Sequence, residues 1–252
     1  MVSIGLLGCG NVGRIIAAHQ TGFTVKALFD RLPDHANDLA RLCGAPAFSD
    51  FNEFISQDFD ICVEAASTMA VREYAPKVLE NDKNFLILSV GALSDKNFRD
   101  DLIRIAKEHH CRIHIPSGAV MGLDNLKVGQ ISRIDKVLLK TTKSPESLKM
   151  NVNTRTLAFR GKANECIKQF PKNINVSVAL ALASENDVDV ELWADPDVDR
   201  NIHEIMVTGE FGEATIRVVN LPSPDNPSTS YLAALSVLSL LKNLDNPLVI
   251  GT

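Results

Sequence analysis

Apolar positions in the first half of the chain follow two alternating spacings. Short, nearly continuous runs at residues 3–7, 24–29, 60–65, 85–90 and 112–115 read as buried strands, while the stretches between them repeat apolar residues at helical spacing. Helices are predicted over 11–20, 33–43, 51–56, 69–80 and 95–110, the last with Ser94 as its N-cap. This alternation specifies an α/β fold, a Rossmann-type doubly wound parallel sheet covered by helices on both faces. A ligand is then expected beyond the C-terminal ends of the strands, where residues 8–13, 66–68 and 89–92 converge.

The second half changes character. Longer alternating runs at 134–142, 188–193, 201–208 and 214–220 predict strands of a sheet exposed on one side, with helices near 163–169 and 175–184. The second of these helices is apolar nearly all round and is expected to be buried. Pro222, Pro224 and Pro227 punctuate a loop, and residues 228–243 read as a final, strongly apolar helix. The expected organisation is a dinucleotide-binding domain over 1–118, an α+β substrate and dimerisation domain over 119–221, and a C-terminal segment, 222–252, packing back on the first domain.

The first strand runs directly into Gly8-Cys9-Gly10-Asn11-Val12-Gly13, which fits G-x-G-x-x-G. The three glycines serve different mechanical ends. Gly8 permits the tight turn, Gly10 lets backbone approach a pyrophosphate, and Gly13 allows close helix–strand packing. The pyrophosphate would rest on the free N–H groups of the helix starting near Asn11 and Val12, with Ala66 contributing from a neighbouring strand end. Asp30 closes the second strand, 20 residues after Gly10, where a carboxylate accepts hydrogen bonds from adenosine ribose hydroxyls. Its charge repels a 2′-phosphate, so NAD is the expected cofactor; Arg31 beside it offsets that repulsion and leaves NADP open.

Composition narrows the class. At 252 residues, with 45% hydrophobic and 23% charged positions, the chain is long enough for a sizeable core and too apolar for disorder. A formal net charge of −5 without like-charge blocks gives no reason to expect nucleic acid or an anionic membrane surface. The start Met1-Val2-Ser3 lacks a basic signal-peptide region, and no apolar run approaches membrane-spanning length. Five scattered cysteines read as reduced thiols, and a cytoplasmic location is expected.

His203 is the candidate catalyst in the second half, sharing a strand face with Ile205 and Val207; the alternative is a satisfied core histidine. Ser117-Gly118-Ala119 is either an interdomain turn or a place of close ligand approach. In Pro171-Lys172-Asn173-Ile174-Asn175 an asparagine caps the buried helix, or the free N–H groups there receive a carboxylate or amide. His109, His110, Cys111 and His114 are close in sequence, but Cys111 and His114 fall on opposite strand faces, so no metal is expected. Cys9 reads as a small filler of the glycine turn. Neither Tyr74 nor Tyr231 has a lysine four residues on, and Gly91-Ala92-Leu93 stands where sugar oxidoreductases carry Glu-Lys-Pro.

The chain resembles the L-aspartate dehydrogenase family over essentially its full length. The resemblance rests on the glycine loop, Ser89-Val90-Gly91-Ala92-Leu93, Pro116-Ser117-Gly118-Ala119 and Phe170-Pro171-Lys172-Asn173-Ile174-Asn175-Val176. It continues through Ala194-Asp195-Pro196, Asn201-Ile202-His203-Glu204-Ile205 and Asn226-Pro227-Ser228-Thr229-Ser230-Tyr231-Leu232. It implies NAD(P)-dependent oxidative deamination of L-aspartate to iminosuccinate, which hydrolyses to oxaloacetate and ammonia or feeds NAD synthesis. It also implies His203 as the catalytic histidine, Ala119 and Asn175 as cofactor contacts, and a homodimer. One departure is the run Asn175-Val176-Ser177-Val178, where smaller residues usually follow that asparagine. Two substrate carboxylates require cations or N–H donors, for which Lys172, Arg160, Ser117 and Asn173 are candidates. Other readings of the same fold are a dehydrogenase of another small amino acid, such as homoserine, and a non-catalytic NAD-sensing protein.

Overall fold

The computed structural model describes residues 1–170, 174–224 and 226–251. The chain divides into two compact units, Met1–Pro116 with Ala234–Val249, and Ser117–Ala233 with Ile250–Thr252.

In chain order the first unit contains β1 (Val2–Leu7), α1 (Asn11–Ala18), β2 (Phe23–Phe29), α2 (Pro33–Cys43), β3 (Ala47–Phe48) and α3 (Phe51–Ile55). There follow β4 (Ile61–Glu64), α4 (Thr68–Glu80), β5 (Asn84–Ile87), α5 (Lys96–Glu108) and β6 (Ile113–His114). The six strands form one parallel sheet in the order β3-β2-β1-β4-β5-β6. The chain winds outward in both directions from β1, so the order reverses at the C-terminal end of that strand, where the glycine turn sits. This is the doubly wound sheet expected. Ile4, Leu6, Ile16, Phe23, Leu28 and Val63 fill its interior.

Three local expectations shift for physical reasons. The strand expected through residue 90 stops at Ile87: the Leu88 amide is shared between the Glu64 carbonyl at 3.4 Å and the Glu64 carboxylate at 3.1 Å, the Ser89 amide donates to that carboxylate, and a 3₁₀ turn, Val90–Ser94, follows. Helix α5 is capped by Asp95, not Ser94, since the Asp95 carboxylate accepts from the Asn97 and Phe98 amides. Helix α1 ends at Ala18 rather than Gln20, with His19 Nδ1 turned back to within 2.8 Å of the Ile15 carbonyl.

The second unit contains α6 (Leu123–Leu126), β7 (Ile134–Lys143), β8 (Thr156–Lys162), α7 (Ala163–Gln169), α8 (Ile174–Ser184), β9 (Val188–Ala194), β10 (Ile202–Gly209) and β11 (Gly212–Val219). Its five-stranded sheet has the order β11-β10-β7-β9-β8, with β7 and β9 parallel and the other pairs antiparallel. One face is apolar: Val137, Leu139, Val188, Val190, Ile205 and Val207 pack with Leu180 of α8 and Cys166 of α7. The opposite face carries ion pairs such as Lys140–Glu204 at 3.1 Å. Strand β8 has no counterpart in the sequence reading. It is an edge strand whose outward residues, Arg160 and Lys162, pair with Glu191 and Asp189, so the apolar alternation that marks a strand is missing.

The chain then forms the short pair β12 (Pro222–Ser223) and β13 (Asn226–Ser230), followed by α9 (Tyr231–Asn243). The helix expected from 228 therefore starts later, after this pairing; the Tyr231 amide donates to Leu221 O as the helix begins. From Ala234 onward α9 belongs to the first unit, where Val237 and Leu241 are fully buried in the sheet's core. Leu241→Ala should lower the unfolding free energy by about 2–4 kcal/mol in urea titration; a loss under about 1 kcal/mol would show that α9 is only loosely attached there.

Candidate active site

In the first unit the glycine turn is built by steric necessity. Gly8 has φ +104°, and a methyl group on it would lie 2.7 Å from the Ala65 carbonyl. The Gly8 amide donates to Phe29 O at 2.8 Å, and Ala65 N donates to Leu7 O at 2.8 Å, so the turn is held between β2 and β4. A methyl group on Gly13 would strike the Gly8 carbonyl oxygen. Gly10 differs: nothing lies within 4 Å of where its Cβ would be, and as the N-cap residue of α1 it offers no side chain to the first-turn amides. An open backbone face and uncapped N–H groups at a helix start suit a phosphate.

Gly8 and Gly10 line a cleft of about 240 Å³ with Phe29, Asp30, Arg31, Ala66, Ser67 and Tyr74. Asp30 is locked: Oδ2 accepts from Cys9 N at 2.8 Å and Oδ1 from Leu32 N at 2.9 Å. Each oxygen retains a lone pair for a ligand hydroxyl. Tyr74 forms the far wall, stacked on Phe51 at 4.3 Å and edge-on to Phe29. Burial first, and Glu73 second, push its hydroxyl up to about 12, so it stays a neutral donor. Cys9 is buried, its thiol pushed up to about 12 by burial and then by Asp30, and its S–H points at Phe29 O at 3.7 Å. Its thiol is therefore inert.

Glu64 has no place in the sequence reading, yet it organises this region. It is fully buried at the end of β4. Oε1 accepts from Ala66 N at 2.8 Å and Ser89 Oγ at 2.8 Å; Oε2 accepts from Leu88 N at 3.1 Å and Ser89 N at 2.8 Å. Burial raises its pKa, and these four hydrogen bonds oppose that rise. The carboxylate thus ties the turn after β4 to the turn after β5. The available signal was a lone carboxylate closing an otherwise apolar strand.

In the second unit His203 lies on the buried face of β10, 6% exposed, beside Ile205 and Val207. Its Nδ1 is 3.0 Å from Oγ1 of the buried Thr141, directly opposite on β7. Nδ1 being engaged, Nε2 is the atom left for chemistry. Burial first, and the Lys143 ammonium second, lower its pKa from 6.5 to about 3, so the imidazole is neutral at physiological pH. Ala119 is brought to the same sheet end: Asn220, which follows β11, donates through Nδ2 to Ala119 O at 3.0 Å. Gly118 takes φ +64° and the Val120 amide reaches Ser117 O at 3.4 Å, which shapes the Ser117–Ala119 turn.

The other candidates separate. Arg160 lies opposite Glu191, on the face of the sheet away from His203, and its guanidinium is 3.0 Å from Glu191 Oε1. Alternation along β8 and β9 fixes that orientation. Asn175 sits exposed in the first turn of α8. Lys172 and Asn173 lie outside the described residues. His109 pairs with Asp82 at 2.8 Å and Cys111 points its thiol at backbone carbonyls; among the described residues no three His, Cys, Asp or Glu side chains assemble as a metal site. No helix among the described residues is long and apolar enough to cross a membrane.

Two family models match separate parts of the chain. Residues 5–116 match the family model of the homoserine dehydrogenase NAD-binding domain, and residues 124–244 match that of the aspartate dehydrogenase C-terminal domain. An L-aspartate dehydrogenase of Methanospirillum hungatei is 81% identical over 252 residues, with both chains fully covered. The chain belongs to the L-aspartate dehydrogenase family. Another relative of that name, from Methanosarcina acetivorans, is 41% identical with full coverage of both. The crystal structure of aspartate dehydrogenase from Thermotoga maritima superposes with a TM-score of 0.83 at 29% identity, covering all of both chains. A myo-inositol dehydrogenase from Corynebacterium glutamicum, at 10% identity and TM-score 0.58 over 96% of this chain and 87% of its own, shares the fold alone.

Within this L-aspartate dehydrogenase family member, Glu64→Gln tests the tie between turns. A carboxamide can place its NH₂ toward Ser89 Oγ, which can turn to accept, but Ala66 N then loses its acceptor. Amide exchange at Ala66 should speed up and nucleotide affinity should fall about tenfold, as the loss of one buried hydrogen bond requires. Unchanged exchange at Ala66 would show that Glu64 does not hold that turn.

Proposed function

We propose that the first unit binds a nicotinamide dinucleotide, the second binds L-aspartate, and the chain oxidises that amino acid at C2. The product is iminosuccinate, which water converts to oxaloacetate and ammonia. The observation that carries the reading is His203: a buried neutral imidazole whose Nδ1 is engaged by Thr141, leaving Nε2 to take a proton. With Nδ1–H donating to Thr141 Oγ1, Nε2 is a bare lone pair, the tautomer a base requires.

Bound nicotinamide supplies the hydride acceptor. Gly8, Gly10 and Gly13 with the amide groups of Asn11 and Val12 would hold its pyrophosphate, and Asp30 its ribose. His203 Nε2 removes a proton from the substrate amine before the hydride leaves, and then assists attack of water on the imine. Iminosuccinate escaping hydrolysis would serve nicotinamide nucleotide synthesis. Reduced cysteines fit a cytoplasmic protein. The outer face of the second unit's sheet, with half-buried Leu138, Met206 and Trp193 among its ion pairs, fits a homodimer.

His203→Ala should lower aspartate turnover about a hundredfold or more, with nucleotide affinity retained; near-normal turnover, followed by absorbance of reduced nicotinamide, would remove His203 from the chemistry. Asp30 favours NAD over NADP through its charge. Asp30→Ala should therefore weaken NAD binding, since ribose acceptors and the Cys9 and Leu32 bonds are lost together, while NADP binding improves relative to it. Titration of both nucleotides checks this, and an unchanged NAD-to-NADP ratio would sink the role of Asp30.

A further inference from the structure

The His203 face of the second unit carries two further polar groups at one end. Along β7, Val137, Leu139 and Thr141 point to the buried face, so alternation puts Lys143 there too, beside the buried Ala194 of β9. Across β10, Val218 of β11 pairs with His203, and Asn220 lies two residues further on, buried to 3% exposure. Both flanking strands run antiparallel to β10, so Lys143 and Asn220 lie at the same end, one on each side of Asn201. From strand geometry each is about 7 Å along its strand from the level of His203, and the two are about 10 Å apart. The four-carbon stem of lysine covers much of that gap.

Asn220 is unusual. Its Nδ2 is committed to Ala119 O, and that bond fixes which way the amide faces. Its Oδ1 is buried and has no hydrogen-bond partner among the described residues. A buried amide oxygen without a donor is destabilising, and a ligand N–H would supply the missing partner. Asn220 also lines a small polar cavity of about 30 Å³, room for a water-sized group, with Ser144, Asp199, Arg200, Asn201 and Ser230. Electrostatically, Lys143 is close enough to His203 to depress its protonation.

We propose that Lys143 and Asn220 are the specificity-determining pair of the substrate site: Lys143 binds a carboxylate of a dicarboxylic amino acid, and Asn220 Oδ1 accepts an N–H from its amino group. The pair flanks His203 so that the amine lies toward the imidazole. The proposal rests on the reading of the second unit as the aspartate-binding half. Arg200, which lines the small cavity beside Asn220, is half-exposed and 3.6 Å from Asp199, and is not assigned this role.

Two ligands separate the contributions. L-aspartate and succinate share both carboxylates, and succinate lacks the amine. Their binding is measured by calorimetry on the full chain saturated with NADH, so that no oxidation occurs. Lys143→Met should weaken both ligands at least about thirtyfold, as loss of a charge-assisted contact implies, and Lys143→Arg should restore most of it. Asn220→Ala should weaken aspartate about tenfold and leave succinate within about threefold. NADH affinity should stay within about threefold in Lys143→Met, which excludes general damage to the fold; Asn220→Ala also loses the bond to Ala119, so retained succinate binding is its control. Unchanged binding in Lys143→Met, equal loss of both ligands in Asn220→Ala, or loss in Arg200→Gln with Lys143→Met unaffected would overturn the assignment. If the wild-type chain binds aspartate through this pair yet does not oxidise it, the pair stands and the proposed reaction falls.

Discussion

The nucleotide half of this molecule depends on one buried carboxylate. Glu64 ends the central strand and meets only donors: three backbone amides and a hydroxyl. Backbone amides cannot accept, so an ionised carboxylate satisfies all four partners and a carboxyl proton would find only Ser89 Oγ to receive it. Ionisation in a fully buried site is costly, and the four bonds are what make it tolerable. The constraint decides where β5 stops, how the turn after β4 lies, and therefore the wall against which Gly8 packs. Gly8 can bear no side chain because Ala65 is held there, and Gly13 can bear none because Gly8 is. The glycine pattern is the visible consequence of close packing that Glu64 helps to fix.

Much of this was legible from residue spacing. The parallel sheet followed from apolar runs alternating with helical periods, and the glycine turn and Asp30 followed from the positions that phosphate and ribose impose. His203 was legible by alternation, since Ile205 and Val207 declare the buried face of β10. Other features obey long-range rules that local pattern does not carry. Strand β8 is written in outward charges whose partners lie on β9, so the pairing of Arg160 with Glu191 was not visible from its own segment. The 3₁₀ turn after β5 was hidden because its cause, Glu64, is 24 residues from the Leu88 amide it accepts. Asn220 was invisible for a similar reason: its partner Ala119 is 101 residues away. Likeness to known relatives carried what spacing does not, namely the identity of the substrate.

The two family matches, one to each part of the chain, reflect a physical division of labour. A dinucleotide is recognised by backbone amides, a glycine turn and one carboxylate, features that suit any substrate partnered with it. Hence residues 5–116 match a domain from a homoserine enzyme without implying homoserine. Substrate choice needs side chains matched to particular charges, and in the proposed site these sit on the mixed sheet of the second unit. The fold-level likeness to a myo-inositol dehydrogenase at 10% identity makes the same point, because the scaffold persists while the substrate on it changes.

His203 presents a tension that the substrate itself resolves. Burial and the Lys143 charge hold the imidazole neutral down to about pH 3, so it is always ready to accept a proton. The same two causes make it a weak base, because its conjugate acid is as poorly solvated and as repelled by Lys143 as the pKa implies. A dicarboxylate changes both. Negative charge on the ligand offsets the Lys143 field, and polar groups replace the apolar surroundings that penalise the imidazolium. In the proposed site the basicity of His203 would therefore rise when a dicarboxylate binds, and a monocarboxylic amino acid would leave more of the Lys143 field uncompensated. Under that assignment, discrimination for a second carboxylate would act on the proton-transfer step as well as on binding, through the same lysine.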